Sequence, residues 1–325
     1  MTITDTPPPG DTDPYGTSID EPVGKAGDKV FFGLSLGAAA LILVTLAAVA
    51  FFLLVQGLPT FTSDSTELDA DVGFFSYVGP LVFGTVYISC IALLLATPVA
   101  IAVALYISHY APRKLAQTLG YFIDLLAAIP SVVYGLWGIT VLAPVMSRSM
   151  FPWLRENAGF IPLFGSDTPI LQSGQTTFTV GVVLAVMVLP IITAISREVF
   201  LQTPRLHEEA SLALGATRWE VIRQAVIPYG RSGVISGAML GLGRALGETM
   251  AVAIILSPAR GYFWDVLTGQ NSNTIAANIA LQFPESSGLE VNRLIATGLV
   301  LFVLTFGVNA VARRVANAGF SGADG

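Results

Sequence analysis

"EEASLALGATRWEVIRQAVIP", residues 208–228, contains two short helical patterns with clear punctuation between them. Gly215 is the residue type that favours the left-handed conformation in which many helices end. Thr217-Arg218-Trp219-Glu220 then forms a capping-box pattern, in which the first and last residues satisfy each other's backbone N–H groups at a helix start. The stretch therefore predicts two capped helices joined by a tight turn.

The two ends of this segment carry further signals. Thr203 is placed to cap the first helix, and Pro204 would then occupy its first position, where a missing N–H costs nothing. Pro228 is placed to end the second helix. One face of the first helix carries three apolar residues at helical spacing: Leu206, Ala210 and Leu214. We predict a rigid elbow over residues 203–228 whose first helix docks on a partner.

The chain around the elbow has the composition of a membrane protein. It has 325 residues, of which 53% are hydrophobic and only 12% are charged, whereas a soluble domain averages about 25% charged residues. Six apolar runs approach the roughly 20 residues that a spanning helix needs: 30–56, 79–107, 118–146, 177–196, 232–256 and 293–312. We predict an all-α polytopic membrane protein with six transmembrane helices and the elbow between the fourth and fifth.

The basic residues predict how these spans are oriented. Eleven Lys and Arg residues lie on the side of the termini and the elbow, and four lie on the other side. By the positive-inside rule, both termini and the elbow face the cytoplasm. Residues 1–29 have too few apolar residues to fold and are predicted to be a disordered cytoplasmic tail. The outer loops are then 147–176 and 257–292, and spacing within 273–283 predicts a short amphipathic helix in the second.

Several classes of function are not supported by any pattern in the chain. No G-x-x-x-x-G-K-[ST] loop occurs, so the chain is not expected to bind or hydrolyse ATP itself, and we predict no enzyme activity and no cofactor. Cys90 is the only cysteine, and the two histidines have no metal-ligand spacing. No basic patch suggests nucleic-acid binding. "GLGRALG", 241–247, is one residue too long for a dinucleotide loop and follows no strand.

Two opposite charges stand inside the fifth predicted span, in "RALGETMAV". A charge at the centre of a membrane helix costs about 2.5–3.5 kcal/mol on insertion scales, so Arg244 needs a reason to be there. On a continuous helix, Arg244 and Glu248 share a face, and Thr249 adds a hydroxyl next to Glu248 at a position about 100° further around the helix. Two interpretations remain open: the charges neutralise each other or clamp another helix, or they line a polar pathway. Arginine offers a planar fork of donors that fits phosphate oxygens.

Glycines recur every four residues in the same span. This spacing lets another helix approach closely, and it occurs in two series: Gly233, Gly237 and Gly241, then Gly243 and Gly247.

The elbow resembles the EAA loop of ABC-importer permeases. That loop runs Glu-Ala-Ala, three residues, Gly, nine residues and Ile-x-Leu-Pro; this chain has Glu209-Ala210-Ser211, Gly215 and Ala225-Val226-Ile227-Pro228. The departures are small or apolar exchanges: Ser211, Ala225 and Ile227. The resemblance implies that 204–214 is a coupling helix docking on an ATPase subunit. The residues that it assigns to coupling are Glu208, Glu209, Ala210, Gly215 and Arg218.

Two further segments are similar to phosphate-importer permeases of the Pst type, and specifically to their PstC-like subunit. They are "AAIPSVVYGLWGITVLAPVM", 127–146, and "GLGRALGETMAVAIIL", 241–256. The resemblance implies the type I (MetI-like) permease fold, with a five-helix core in 79–315 and the span at 30–56 as an added N-terminal helix. It also implies phosphate import into the cytoplasm across the bacterial inner membrane. On the pathway interpretation of the charges, Arg244, Glu248 and Thr249 line the translocation pathway.

The same resemblance implies partners. They are a second, PstA-like permease, a PstB-like ATPase dimer that binds the ATP, and an external PstS-like phosphate-binding protein, all assembled in a lipid membrane. The alternatives are a permease for another oxyanion such as sulfate or molybdate, a self-sufficient secondary transporter, and a non-transporting membrane sensor.

Overall fold

The computed structural model of the protein describes residues 25–62, 73–165, 168–259 and 261–318. The described chain is almost entirely helical. Its first half contains α1 (Lys25–Thr62), α2 (Phe74–Leu105), α3 (Arg113–Ala127), α4 (Ser131–Trp137), α5 (Ala143–Val145) and α6 (Phe151–Ala158). Its second half contains α7 (Thr177–Leu201), α8 (Arg205–Ala213), α9 (Arg218–Val221), α10 (Ile227–Leu246), α11 (Met250–Ile255), α12 (Ile275–Gln282) and α13 (Leu289–Ala318). Two short strands, β1 (Pro258–Ala259) and β2 (Asn271–Ser272), pair in parallel.

Four helical stretches are long and apolar enough to cross a membrane: Gly27–Phe61, Phe74–Tyr110, Thr177–Leu201 and Leu289–Arg314. A fifth candidate is the pair Arg113–Ala127 and Ser131–Ala158, which is bent by 91°. The predicted count of six continuous spans is therefore not confirmed. The predicted spans 118–146 and 232–256 are each interrupted, the first just before Pro130 and the second at Gly247–Thr249.

Prolines explain a second irregularity, a set of π-helical segments. Within the described ranges four such segments each end two residues before a proline: Tyr106–Tyr110, Gly138–Leu142, Met146–Met150 and Ile222–Val226. In each case the residue before the proline donates its N–H to the carbonyl five residues back. A proline ring clashes with the carbonyl four residues back and has no N–H to donate. The wider turn accommodates the ring, and in three of the four cases the helix continues past the proline.

The centre of the bundle is formed by α2, α7 and α10, which pack on one another. Its core contains fully buried aliphatic side chains from α2 and α7, among them Ile88, Leu184 and Ile192. Ala251 and Ile255 of α11 belong to the same cluster. The short helix α11 is therefore held in the core although it is separate from α10.

The first glycine series brings α10 close to α7, as predicted. A Cβ added to Gly233 would lie 2.3 Å from a methyl group of Val199, and one added to Gly241 would lie 3.0 Å from Ile192. The second series does not behave in this way. A Cβ on Gly243 would meet nothing within 4 Å, and one on Gly247 would meet only the Gly243 carbonyl. The prediction of close helix packing is wrong for this second series in the described chain.

The chain divides into two compact units, Met1–Phe52 and Leu53–Gly325. In the described part of the first unit, α1 begins at Lys25, so residues 25–29, which the composition assigned to the tail, are helical. The rest of the predicted disordered tail lies outside the described residues. Most apolar side chains of this part of α1 are exposed, which suits a helix surrounded by lipid or by another protein.

In the second unit, the two long loops opposite the elbow pack into one layer. Arg155 forms an ion pair with Asp265 at 3.1 Å, and the side chain of the fully buried Asn271 accepts hydrogen bonds from the backbone and hydroxyl of Thr177. The predicted amphipathic helix is confirmed as α12, which packs on α2 and α13. Its residue Ile275 is fully buried.

Candidate transport pathway and coupling elbow

The elbow has the turn and the cap that its sequence predicts. Gly215 follows α8 with a φ of 85°, in the left-handed region that favours glycine. The side chain of Thr217 accepts a hydrogen bond from the Glu220 N–H at 3.4 Å, and the Glu220 carboxylate accepts one from the Thr217 N–H at 2.7 Å. These bonds to Thr217 hold the pKa of Glu220 below its ordinary value, the backbone bond having the larger effect. The predicted capping box is confirmed.

The predicted start of the first elbow helix is wrong by one residue. Thr203 does not cap α8: its own N–H bonds to the Phe200 carbonyl at 3.3 Å, as part of the last turn of α7. Its side chain is buried, and its hydroxyl has no hydrogen-bond partner among the described residues. Pro204 is instead the residue before the helix, with an extended backbone, and α8 begins at Arg205.

Pro228 does not end the second helix either. The chain runs from α9 through the π-helical segment Ile222–Val226 into α10 without interruption. Ile227 donates its N–H to the Ile222 carbonyl, and this wider turn accommodates the proline. The elbow is therefore joined directly to the helix that carries Arg244, through one helical stretch from Arg218 to Leu246.

The first elbow helix, α8, has no buried residue. Leu206 is 78% exposed and Leu214 is 91% exposed. Among the predicted coupling residues, four are exposed: Glu209, Ala210, Gly215 and Arg218. An amphipathic helix whose apolar side chains remain in solvent is typical of a surface that a partner covers.

Glu208, the remaining predicted coupling residue, faces the bundle. Its carboxylate lies 3.7 Å from the imidazole Nε2 of His109, at the end of the long helix that begins with α2. The hydroxyl of Ser108 lies 2.7 Å from Nδ1 of the same ring. A small cavity of about 220 Å³ lies at this junction, and Arg218 also lines it. These contacts connect α8 to the membrane helices at a second point.

The charged pair in the fifth predicted span is not on one continuous helix. Arg244 lies in the last turn of α10, whereas Glu248 lies in the break before α11 begins at Met250. The prediction of a shared helical face is therefore wrong, because Gly247 ends the helix between the two charges. Arg244 and Glu248 form no ion pair with each other or with any other residue in the described ranges.

Glu248 and Thr249 both bond to the backbone around the break. The buried Glu248 carboxylate accepts a hydrogen bond from the Ala251 N–H at 3.1 Å, in the first turn of α11. The Thr249 hydroxyl donates to the Gly247 carbonyl at 3.2 Å. Both predicted pathway residues thus have a local structural role.

Arg244 borders an open cavity of about 570 Å³ between α10, α13 and one residue of α7. The cavity is lined by Ile191, Ile235, Ser236, Met239, Leu240, Gly243, Arg244, Asn309, Ala312 and Arg313. Of the predicted pathway residues, only Arg244 reaches it. The sequence predicts that Arg244 lies within a membrane span, where a charge normally faces a polar or water-filled space. The cavity provides Arg244 with such a space.

Three polar residues of this cavity were missed by the sequence analysis: Ser236, Asn309 and Arg313. Asn309 and Arg313 are four residues apart on α13, which was a usable signal of a polar face on a membrane helix. That this face meets the one carrying Arg244 depends on tertiary packing, which local spacing does not reveal.

Comparison with known proteins agrees with this architecture. The family described as "Binding-protein-dependent transport system inner membrane component" matches residues 96–318. An alginate ABC transporter crystal structure has the same fold with a TM-score of 0.57, at 18% identity, over 89% of this chain and 96% of that one. The predicted permease fold class is confirmed, although its count of six helices is not.

Close relatives share nearly the whole chain. The phosphate transport system permease protein PstC 2 of Mycobacterium tuberculosis is 44% identical over 321 residues, or 96% of this chain and 98% of the relative. The PstC of Mycobacterium leprae is 45% identical over 283 residues, or 84% of this chain and 88% of the relative. The chain therefore belongs to the family of binding-protein-dependent transport system inner membrane components, and within it to the phosphate transport system permease proteins of the PstC group.

Proposed function

We propose that this chain is one of two membrane permease subunits of an ATP-driven importer that moves inorganic phosphate into the cytoplasm. The observation that carries the proposal is Arg244, a guanidinium with no ion-pair partner in the described chain, at the edge of an open cavity. Relatives that are 44–45% identical are named as phosphate transport permeases, which supports phosphate as the substrate.

The chemistry of Arg244 suits an anion in transit. Its guanidinium is always charged and presents donors that match two phosphate oxygens at once. Because no carboxylate of the described chain neutralises Arg244, its charge is available to an entering anion. A single such group binds weakly enough for release, which a transport pathway requires. Glu248 and Thr249 contribute by holding the helix break beside it, through their bonds to Ala251 and Gly247.

The elbow supplies the coupling to ATP. The exposed apolar residues of α8 fit a groove on an ATPase subunit of the PstB kind, which binds the ATP that this chain has no loop to hold. Glu209, Ala210 and Gly215 lie in or beside the docking surface. Movement of α8 reaches Arg244 through the turn at Gly215 and the helical stretch from Arg218 to Leu246. The contact between Glu208 and His109 passes movement to the long helix that begins with α2.

We further propose the domain bounds, the membrane location and the partner subunits of this chain. Residues 79–315 form the permease domain and the helix at 30–56 is an addition to it. The chain lies in the bacterial cytoplasmic membrane with both termini and the elbow in the cytoplasm, as the distribution of Lys and Arg indicates. A PstA-like permease forms the other half of the pathway, and a PstS-like phosphate-binding protein meets the outer loops.

ATP-driven uptake of radioactive phosphate into vesicles tests the proposal. The chain is co-purified with its permease and ATPase partners, reconstituted, and supplied with the external binding protein. We expect uptake that requires ATP and is not displaced by sulfate or molybdate. Uptake of sulfate or molybdate in place of phosphate would identify a different oxyanion, and uptake by the lone chain without ATP would identify a secondary transporter. A complete complex with no flux of any of these anions would contradict the transport function.

A further inference from the structure

The cavity beside Arg244 leads towards the elbow end of the bundle. Near the start of α13, Arg293 stacks on the ring of Tyr77, which lies near the start of α2, with 4.5 Å between the guanidinium carbon and the ring centre. The long helix that begins with α2 ends at Tyr110, one residue after His109, which lies beside Glu208 of the elbow. The starts of α2 and α13 therefore lie at the end opposite the elbow, and the last turns of α13 lie at the elbow end.

Two helices contribute polar residues to this cavity at helical spacing. Ser236 and Arg244 are eight residues apart on one face of α10, a rise of about 12 Å, and both line the cavity. Asn309 and Arg313 are one turn apart on α13 and line it as well. Because α10 starts at the elbow, Ser236 is closer to the elbow than Arg244, and Arg313 lies in the last turns of α13.

The cavity has an excess of positive charge. Its lining includes the guanidinium groups of Arg244 and Arg313 but no carboxylate. Neither arginine forms an ion pair with any residue for which the structure gives a position. Like charges along one open channel raise the local concentration of anions. The side-chain amide of Asn309 adds N–H donors for an oxyanion, whereas the Ser236 hydroxyl already donates to the Ser232 carbonyl at 2.9 Å.

An apolar groove adjoins the cavity along α13. It has a volume of about 490 Å³ and shares Ile235, Met239 and Ala312 with the cavity. Its other residues are aliphatic or glycine, and they include the exposed Val303 and Val311. A groove of this kind accepts a lipid acyl chain, whose phosphate would then lie next to the basic cavity.

We propose that Arg313, with Asn309, forms a second binding site for a phosphoryl oxyanion, on the elbow side of Arg244. Two sources carry this chemistry at this place. One is free phosphate leaving Arg244 for the cytoplasm, and in that role the site rests on the proposed function. The other is the headgroup of an anionic phospholipid whose acyl chain lies in the adjoining groove.

Charge-selective labelling tests the site in the assembled importer. Cys90, the only cysteine, is replaced by serine, and Leu240→Cys places a reporter thiol in the cavity between Ser236 and Arg244. The reaction rate is measured with an anionic and with a cationic methanethiosulfonate reagent in phosphatidylcholine vesicles. We expect Arg313→Gln to lower the ratio of the anionic to the cationic rate about threefold or more, since one unit charge is lost nearby.

Arg314→Gln is the matched control, because Arg314 is adjacent on the same helix, is exposed and does not line the cavity. It should leave the rate ratio unchanged, and Arg313→Lys should restore most of the ratio. A ratio that is the same in Arg313→Gln as in Arg314→Gln would overturn the proposal. Size-exclusion chromatography of each variant identifies any that fails to assemble. If Arg313→Gln fails, Arg313→Met, which also removes the charge, is compared with Arg314→Gln in its place.

Two further labelling measurements distinguish free phosphate from a lipid headgroup as the source of the oxyanion. Slower anionic labelling on addition of inorganic phosphate, dependent on Arg313, would identify free phosphate. Slower labelling in phosphatidylglycerol vesicles without phosphate, also dependent on Arg313, would identify the lipid headgroup. Either result supports the site. If neither inorganic phosphate nor phosphatidylglycerol slows the anionic labelling, the proposal is overturned. Labelling needs no uptake or ATP, so failure of the proposed transport function would leave these results interpretable.

Discussion

The Glu248 carboxylate accepts the Ala251 N–H at 3.1 Å and thereby fixes the start of α11 next to the end of the helix that carries Arg244. The two charges that the sequence places four residues apart thus have separate surroundings. Glu248 is buried and bonded to backbone, and Arg244 borders an open cavity. This separation leaves the arginine charge available to an anion.

Glu248→Gln and Glu248→Leu distinguish the structural role of this residue from its charge. Glutamine retains an oxygen that can accept the Ala251 N–H, whereas leucine leaves that buried N–H without a partner at a cost of about 1–3 kcal/mol. We expect thermal unfolding of the purified complex to shift to lower temperature for Glu248→Leu and to change little for Glu248→Gln. Equal stability of the two variants would contradict the role of this hydrogen bond.

Gly233→Ala and Gly243→Ala test the packing of α10 on α7. A Cβ at Gly233 would overlap Val199, so we expect a loss of about 1–3 kcal/mol from overpacking. Gly243 has open space around it, and alanine there should keep or slightly raise stability because it favours helix. The denaturant concentration at which the complex unfolds measures the stability change for both substitutions. The prediction fails if Gly243→Ala is the more damaging of the two.

Gly215→Val and Gly215→Asn test whether the left-handed turn is needed for coupling. An added Cβ would meet nothing within 4 Å, so the only penalty for valine is its backbone conformation at a φ of 85°. Left-handed geometry costs most residues roughly 1–2 kcal/mol, and asparagine tolerates it better. We expect Gly215→Val to lower the phosphate transported per ATP hydrolysed, and Gly215→Asn to retain most of it. Equal coupling in both variants would show that this conformation is not required.

The elbow should also respond to pH through Glu220. Hydrogen bonds from Thr217 lower the pKa of this carboxylate in the folded chain. Its contribution to the second elbow helix is therefore present at neutral pH and is lost as the pH falls through the lowered folded pKa. Thr217→Ala removes the hydroxyl bond but keeps the backbone N–H bond, so it should raise the Glu220 pKa only part of the way towards its ordinary value. Carbon-13 NMR of labelled glutamate, assigned with Glu220→Gln, measures this shift, and an unchanged pKa in Thr217→Ala would contradict the capping box.

Local sequence signals predicted the elbow well because its turn and cap are decided within a few residues. Gly215 and the pair Thr217–Glu220 need no distant contact to adopt their conformations, and both predictions are confirmed. The assignments at Thr203 and Pro228 were wrong for a common reason. Thr203 completes the end of the preceding helix, α7, and Pro228 is accommodated by a π-helical turn, so in both cases a helix extends past the residue expected to mark its boundary.

The candidate pathway was less predictable than the elbow. Arg244 stood out because a charge in an apolar run is costly, but hydropathy concealed the break at Gly247 that separates it from Glu248. Arg313 appeared in the sequence only as a charge that orients the last span. Its position on the same cavity as Arg244 depends on how α13 packs against α10.

ATP-driven phosphate uptake by the reconstituted complex with Arg244→Gln tests the central claim most directly. Arg231→Gln is the matched control, since Arg231 is exposed on the same helix and does not line the cavity. We predict that Arg244→Gln abolishes uptake while the complex still assembles and still hydrolyses ATP, and that Arg231→Gln transports phosphate normally. Normal phosphate uptake by an assembled Arg244→Gln complex would contradict the account.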